Sequence, residues 1–182
     1  MALYPPLEDS PEAVREALAP LRNDMSVAVH SLGNPFAVGA IIRVAHSFLV
    51  REIVILGEAP YYAKASMGME KYETIVRVPD DDAFFAHVAG RPVWAVEKDG
   101  ARRGLYEPGE FPMGVVFVFG SEREGLGAEF LARADEVVGI PMYGVNHSFP
   151  VAVAAGMVMG EWARKRYAAV ARDASIASVA RE

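Results

Sequence analysis

Residues 140–157 decide the fold: Ile-Pro-Met-Tyr-Gly-Val-Asn-His-Ser-Phe-Pro-Val-Ala-Val-Ala-Ala-Gly-Met. They join the end of a short apolar strand to a polar, glycine-containing loop and then to a helix that we expect to begin between Ser148 and Pro150. Proline suits the first helical turn, because its missing N–H would have no partner there. The loop exposes backbone N–H and C=O groups, so it predicts a site for a small polar ligand.

Two other segments have the same strand–loop–helix design. Residues 26–32 lead into 33–48, and residues 115–119 lead into 120–127. The continuous apolar runs at 53–56 and 115–119 are typical of parallel strands covered on both faces. Alternating strands and helices predict a layered α/β domain. The predicted strands are 26–31, 52–56, 92–96, 115–119 and 136–140. The predicted helices are 10–22, 37–48, 80–88, 126–134 and a final helix, with a polar linker at 57–79 and a loop at 97–114. The apolar face of the final helix holds Val151, Ala154, Ala155, Val158, Met159 and Trp162.

The composition is that of a globular domain. The 182 residues include no cysteine, which excludes disulfides and leaves the four histidines without sulfur partners for a zinc site. No apolar run reaches the roughly 18 to 20 residues that a membrane span needs. Residues 1–9 lack a basic start and an apolar run, so we expect no secretory signal. A cytoplasmic protein without a structural metal is the expectation.

The net charge of −6 argues against a general attraction to nucleic acid, which normally requires a basic face. Local basic patches are compatible with RNA binding, and each is equally compatible with an ordinary solvated surface. The candidate patches are Lys98 with Arg102 and Arg103, Lys64 with Lys71, and Arg164 to Arg166.

The three strand–loop–helix segments carry motifs in a fixed order and spacing. They read Asn-Pro-Phe-Ala-Val-Gly-Ala-Ile-Ile-Arg at 34–43, Phe-Gly-Ser-Glu-Arg-Glu-Gly-Leu at 119–126, and the stretch from Ile140 quoted above. Together they resemble the SpoU (TrmH-like) branch of the SPOUT RNA methyltransferases, whose blocks read roughly N-P-x-N-x-G-A-I-I-R, F-G-x-E-x-x-G-L and I-P-M-x-G-x-x-x-S-L-N-V-S-x-A. The resemblance covers about residues 26–166.

The resemblance implies a parallel sheet flanked by helices, with a deep trefoil knot in its C-terminal part. It implies a homodimer that binds S-adenosylmethionine and transfers its methyl group to a ribose 2′-hydroxyl of tRNA or rRNA. We divide the chain into an N-terminal helical extension (1–24), the methyltransferase domain (25–168) and a C-terminal helical tail (169–182). We see no separate RNA-binding domain before the first strand, so we expect the N-terminal helix, the basic loops and the dimer surface to recognise RNA.

The resemblance also assigns candidate catalytic residues. Arg43 matches the family arginine that contacts the RNA phosphate and helps to activate the hydroxyl, although an arginine at the border of an amphipathic helix would also fit there. Glu122 matches a family glutamate that we expect to orient Arg43 or the loop of the third motif. Without the resemblance, Glu122 would be an acidic residue favoured in a first helical turn. Asn34 and Ser148 match the first and third blocks; alone, they would be read as a turn former and a helix cap.

For the methyl donor, the resemblance points to backbone groups at the ends of strands and to the start of the last helix. Gly120 and Gly125 would permit close approach of the backbone to the ligand. The candidate donor-binding residues are Val96, Gly120, Ile140, Met142, Ser148 and Phe149.

The chain departs from the family pattern at two positions. Ala37 replaces an asparagine, and Pro150 replaces the asparagine of Ser-Leu-Asn. Each lost amide removes hydrogen bonds worth about 1 kcal/mol if buried. The departures leave open an altered substrate geometry, a different target atom, or a protein that binds RNA without methylating it; the two changes would also be compatible with mutual compensation.

Two rival functions follow from these residues. The first is a non-catalytic RNA-binding or regulatory protein that keeps the fold. The second is a dinucleotide-dependent oxidoreductase, which is disfavoured because no Gly-x-Gly-x-x-Gly follows the first strand.

Overall fold

The computed structural model describes residues 9–30, 33–121 and 124–170, and of residues 167–170 it describes the backbone alone. Seven strands form one sheet, and every pair of neighbouring strands in it is parallel. The strands are β1 Ser26–His30, β2 Ile53–Leu56, β3 Ile75–Val78, β4 Val93–Val96, β5 Arg103–Gly104, β6 Val116–Phe119 and β7 Glu136–Gly139.

The described residues also form six α-helices, of which the first precedes β1 and the other five connect or follow strands. They are α1 Pro11–Leu18, α2 Pro35–Ser47, α3 Ala63–Ser66, α4 Asp81–His87, α5 Ala128–Arg133 and α6 Val151–Val170, and single 3₁₀ turns lie at Ala19–Leu21 and Met69–Lys71. Within the described ranges, no helix is both long and apolar enough to cross a membrane.

The strand order is β3-β2-β1-β6-β4-β7-β5. The first three strands therefore run from β1 in the interior of the sheet to β3 at one edge. The later strands β4 to β7 all lie on the other side of β1. In open parallel sheets, the place where the direction of building changes leaves a crevice at the carboxyl ends of the strands, and ligands bind there. From this topology we expect a ligand site at the carboxyl edge of the sheet, between β1 and β7.

Helices cover both faces of the sheet. Alternate strand residues point to opposite sides, so Val27 and Val29 pack with α2 and α6, whereas Ala28 packs with Phe84 of α4 and Phe130 of α5. The apolar face expected for the last helix is formed mainly by buried residues, including Ala155, Val158, Met159 and Trp162. The predicted parallel sheet flanked by helices is confirmed.

The sequence predictions missed the two edge strands. β3 lies inside the stretch predicted as a polar linker, and its residues Ile75 and Val76 are only half-buried. β5 is two residues long within the loop predicted at 97–114. Short edge strands carry little apolar periodicity, because only one side pairs and one face stays wet.

The helix boundaries differ by a few residues from those predicted. Helix α2 begins at Pro35 rather than Ala37, because the side chain of Asn34 accepts hydrogen bonds from the amides of Phe36 (3.1 Å) and Ala37 (3.4 Å). Helix α5 begins at Ala128 rather than at 126, with Gly127 at its N-cap. Of the tail predicted at 169–182, residues 171–182 lie outside the described residues, and of the extension predicted at 1–24, residues 1–8 do.

A buried polar network holds the amino edge of the sheet. Glu52 accepts hydrogen bonds from Arg91 (2.5 Å) and is 3.0 Å from Nε2 of His87, and Arg91 also donates to Ser26 Oγ (2.5 Å). Burial alone raises the pKa of Glu52, but the hydrogen bonds and charges of His87 and Arg91 together hold that pKa below its ordinary value. Glu52 therefore ties the starts of β1, β2 and β4 together, at the end of the sheet opposite to the crevice.

Candidate functional site

A cavity of about 360 Å³ opens at the carboxyl ends of β4, β6 and β7. This volume lies in the range of small-molecule sites. Three strand ends form its floor, and the first turn of α6 closes one side. All six residues predicted for the donor line it, namely Val96, Gly120, Ile140, Met142, Ser148 and Phe149.

Two glycines shape the loop after β6. Gly125 N donates to Ser121 O (2.9 Å), and the loop folds back so closely that a Cβ on Gly120 would collide with the carbonyl of Gly125. Gly125 itself has φ +62°, a left-handed conformation that favours glycine. The close approach that the structure describes is therefore between parts of the chain itself, and it gives the cavity one rigid wall.

Glu97, the first residue after β4, holds this loop in place. Its carboxylate accepts hydrogen bonds from the amides of Lys98 (2.8 Å) and Leu126 (3.1 Å). A Cβ on Gly125 would collide with the same carboxylate. Glu97 was not among the residues predicted from the sequence. Its position directly after a buried strand was the available signal, because strand ends in parallel sheets meet at one edge.

The loop of the third motif, residues 140–150 between β7 and α6, is held at its base and exposed at its tip. Lys98 Nζ donates to His147 O (3.3 Å), and Asn146 Nδ2 donates to Ser148 O (3.2 Å). In contrast, the side chains of Tyr143 and Val145 are 96% and 98% exposed. An apolar loop tip in this state offers a surface for a ligand or a second molecule.

The chemistry of the cavity lining is mixed. Apolar walls from Phe119, Leu126 and Ile140 suit a flat aromatic group, and the carboxylates of Glu97 and Glu124 suit a positive charge. Within the described residues, no cluster of His, Asp or Glu side chains could hold a metal ion. The site therefore suits a small organic cation with an aromatic part.

The predicted catalytic residues are not all brought together. Ser148 lines the cavity, whereas Arg43 and Asn34 do not. Arg43 lies on the exposed side of α2, and its guanidinium has no hydrogen bond or ion pair to the rest of the described chain. Asn34 caps α2 through its side-chain oxygen, whereas the residue alone suggested a turn former. Glu122 lies outside the described residues.

Most cations of the candidate basic patches already have partners. Arg102 pairs with Glu136 (3.0 Å), Arg164 pairs with Glu161 (2.7 Å), and Arg166 is 3.4 Å from Asp24. Lys64 and Lys71 are exposed, and neither side chain has an ion pair within the parts of the chain described. Of the candidate patches, the one formed by Lys64 and Lys71 thus has cations without ion pairs among the described residues.

The two departures from the family pattern occupy different environments. Ala37 is 8% exposed and belongs to the core on the α2/α6 side. Pro150 is exposed, and its carbonyl accepts from the amides of Val153 (2.9 Å) and Ala154 (3.0 Å) at the start of α6. Pro150 therefore lies at the beginning of the helix that closes the cavity, and its backbone carbonyl accepts the first amides of that helix.

Comparisons with known proteins identify relatives of this chain. YacO of Bacillus subtilis (strain 168), assigned to the TrmH family of tRNA/rRNA methyltransferases, is 31% identical over 140 residues, which are 74% of this chain and 56% of YacO. The tRNA (guanosine(18)-2′-O)-methyltransferase of Thermus thermophilus is 29% identical over 158 residues, 84% of this chain and 81% of that enzyme. This chain thus spans little more than half the length of the Bacillus relative.

A solved structure and a family model complete the comparison. The structure of an AdoMet-bound rRNA methyltransferase from Sinorhizobium meliloti superimposes with a TM-score of 0.70 at 25% identity, covering 81% of this chain and 59% of that one. The model of the SpoU rRNA methylase family matches residues 24–160, which include β1 to β7, the cavity and the first half of α6. The chain is therefore a member of the SpoU rRNA methylase family.

Proposed function

We propose that this protein is an S-adenosylmethionine-dependent RNA methyltransferase that acts on a ribose 2′-hydroxyl of tRNA or rRNA. The observation that carries the proposal is the cavity at the carboxyl ends of β4, β6 and β7, around which the six residues predicted for the donor lie together. Family membership and the named activity of the Thermus relative support the same reaction.

The residues of the cavity fit the donor. When bound, S-adenosylmethionine supplies an electrophilic methyl group on a positively charged sulfur. The apolar strand ends Val96 and Ile140 would pack against its adenine, while Gly120 and Met142 would offer backbone groups to its polar parts. Glu97 and Glu124 would favour the positive charge. The contribution of these residues to methyl transfer is to bind and orient the donor.

The acceptor hydroxyl needs help to lose its proton. Arg43 would hold an RNA phosphate and stabilise the negative charge that develops on the ribose oxygen. Ser148, at the rim of the cavity, would position the hydroxyl, and Glu122 would orient Arg43 or the third loop. Asn34 would act indirectly, by fixing the start of the helix that carries Arg43.

We infer that the active form is a homodimer. Arg43 is exposed and lies away from the lining of the cavity in its own chain, so a second chain would be needed to bring such a residue to the donor. The exposed tip of the third loop, with Tyr143 and Val145, supports an interface beside the cavity.

We further infer the C-terminal trefoil knot and a cytoplasmic location. The insertion of β7 between β4 and β5, and the return of α6 to pack against α2, are compatible with the knot. The cytoplasmic location is supported by the Thermus relative, since a bacterial tRNA methyltransferase finds its substrate in the cytoplasm.

The test is methyl transfer from tritiated S-adenosylmethionine to small and ribosomal RNA from a strain that lacks this gene. We expect label in one RNA, and a loss of at least about 100-fold in Arg43→Ala. Arg51→Ala is the matched control, because Arg51 is also an exposed arginine but precedes β2 at the opposite edge of the sheet. No label from a protein that binds the donor in calorimetry would contradict the proposed activity.

The alternative of a non-catalytic RNA-binding protein rests on Ala37 and Pro150 alone, and the family match and the named activity of the Thermus relative do not support it. Its test is the double variant Ala37→Asn/Pro150→Asn in the same assay. Transfer that appears only in this variant would favour the non-catalytic function, whereas transfer by the wild-type protein excludes it.

A further inference from the structure

Two exposed aromatic side chains form a pair on the surface. Phe36 is 60% exposed and Tyr62 is 37% exposed, and their ring centroids lie 4.5 Å apart at an interplanar angle of 43°. The proposed donor site does not use either ring. A pair of aromatic rings held together in water presents flat apolar faces that a further ring can cover.

The backbone holds this pair rigidly. Tyr62 N donates to Pro35 O (2.9 Å), which fixes the loop after β2 to the first turn of α2. Helix and loop meet so closely at Gly39 that a Cβ there would lie 2.6 Å from Tyr62 O. A preorganised aromatic surface loses little conformational entropy when a ligand stacks on it.

The pair lies at the functional edge of the sheet. Phe36 is in the helix that follows β1, and Tyr62 follows β2, so both stand at carboxyl ends of parallel strands. Strand β1 is the direct neighbour of β6, whose end forms part of the donor cavity. The aromatic pair and the cavity therefore lie at the same edge of the sheet.

Free positive charge flanks the pair. Phe36 and Arg43 are seven residues apart on α2, which puts them on the same exposed face about 10 Å apart along the helix axis, with the small Ala40 between them. Lys64 follows Tyr62 by two residues. Neither cation has an ion pair to any residue that the structure describes, and α2 contains no Asp or Glu.

We propose that Phe36 and Tyr62 form a stacking platform for a nucleobase of the RNA substrate, next to phosphates held by Arg43 and Lys64. This inference rests on the proposed function and adds a binding site for the acceptor strand. Aromatic rings beside unpaired cations are the combination that binds single-stranded nucleic acid, because bases stack on the rings and phosphates pair with the cations.

A second copy of the chain is the competing occupant of this surface. Contact of this surface with the same surface of a second copy would bring two sets of Arg43 and Lys64 together, and α2 offers no carboxylate to neutralise them. The homodimer proposed above differs from such a contact, because it turns Arg43 towards the partner's donor cavity, where the acceptor strand must also lie. An RNA strand supplies the missing negative charge. Charge complementarity therefore favours RNA.

The test compares the binding of two fluorescein-labelled probes by anisotropy: a single-stranded RNA of about 15 nucleotides and the same ribose-phosphate strand without bases. We expect the wild-type protein to prefer the strand with bases. Phe36→Ala/Tyr62→Ala is expected to lose about 5- to 100-fold in affinity for that strand and little for the strand without bases. Phe36→Tyr/Tyr62→Phe, which keeps both rings, is the matched control and is expected to bind as the wild type does. Lys64→Ala is expected to weaken both probes alike.

Three results would overturn the inference. They are equal or unmeasurable affinity of the wild type for the two probes, unchanged preference in the double alanine variant, and a change of sedimentation mass in that variant, which would assign the surface to self-association. Donor binding by calorimetry and methyl transfer are measured on the same proteins. RNA methylation without a base preference overturns the platform alone, whereas a base preference without methylation overturns the proposed activity alone.

Discussion

Arg43, the cation assigned to the reaction, is exposed. Its guanidinium stands on α2 without a partner in the described chain, at a position where the neighbours Ile41 and Ile42 are buried. The helix thus fixes the direction of the side chain through its apolar face and leaves the charge available. Because the helix already fixes the direction of the Arg43 side chain, little rearrangement of the protein is needed when an RNA phosphate binds.

The shape of the Arg43 side chain is expected to matter as well as its charge. Arg43→Lys keeps the charge but replaces the planar fork that binds phosphate through two hydrogen bonds, so we expect kcat/KM for RNA to fall about 10- to 100-fold. The dissociation constant of the donor is expected to stay unchanged. Steady-state methylation and calorimetry measure the two quantities. Full activity of the lysine variant would reduce the role of Arg43 to a nonspecific charge.

Gly120 is expected to be essential to the donor cavity. In Gly120→Ala the new methyl group meets the carbonyl of Gly125 and the amide of Leu126, so the loop must move. We expect the free energy of unfolding to fall by about 1–3 kcal/mol and donor binding to weaken at least about 10-fold.

Gly127→Ala is the matched control for this prediction. Gly127 has φ −61°, and a Cβ there would meet no atom within 4 Å. Chemical denaturation and calorimetry compare the two variants. Equal behaviour of both alanine variants would mean that the loop after β6 adapts to a side chain.

At the scale of the elements, the carboxyl edge of the sheet forms the site and the amino edge holds the strands in register. Glu52 is the centre of the amino-edge network, in contact with His87, Arg91 and Ser26. None of these residues lines the cavity. A change there is therefore expected to act on stability and to leave the chemistry of the site intact.

The pH dependence of stability provides the test. The pKa of Glu52 is lower in the folded protein than its ordinary value of 4.5, so its contribution is present above about pH 4.5 and is lost as the pH falls through the lower folded value. We expect Glu52→Gln to lower the free energy of unfolding by about 2 kcal/mol at about pH 7, because hydrogen bonds to a charged group are lost. At about pH 3 the difference between variant and wild type is expected to shrink.

Urea denaturation at both pH values measures this effect. Glu58→Gln is the control, since Glu58 is exposed and has no ion pair among the described residues. A difference between Glu52→Gln and wild type that does not depend on pH would contradict the role of the Glu52 carboxylate.

At the scale of the whole molecule, donor binding is expected to stabilise the fold. The cavity draws on the ends of β4, β6 and β7 and on α6, elements that are distant in sequence. A ligand that contacts all of them binds only the folded chain, and at about 100 times its dissociation constant it adds about 2.7 kcal/mol. For a protein of this size we expect Tm to rise by about 5–10 °C.

Thermal unfolding with S-adenosylhomocysteine measures this shift without methyl transfer. Gly120→Ala is expected to show a smaller rise at the same ligand concentration. The absence of a shift in the wild-type protein would contradict the assignment of the cavity to the donor, whatever its effect on RNA methylation.

The amino-acid sequence by itself determined the local features and the family. Continuous apolar runs marked β2 and β6, the spacing of apolar residues marked the buried face of α6, and three ordered motifs indicated the SpoU resemblance that the comparisons confirm. These features are carried by neighbouring residues, and the physical forces behind them, burial and backbone hydrogen bonding, act along a single element.

Only the tertiary structure decided which distant residues meet. It placed six strand-end and loop residues around one cavity, added Glu97 as the group that fixes Leu126, and left Arg43 outside the cavity of its own chain. It also paired Phe36 with Tyr62, although α2 and the loop after β2 are far apart in the sequence. Such contacts depend on strand order and on close approach at Gly39 and Gly120, and these follow from the packing of the whole chain rather than from any local pattern.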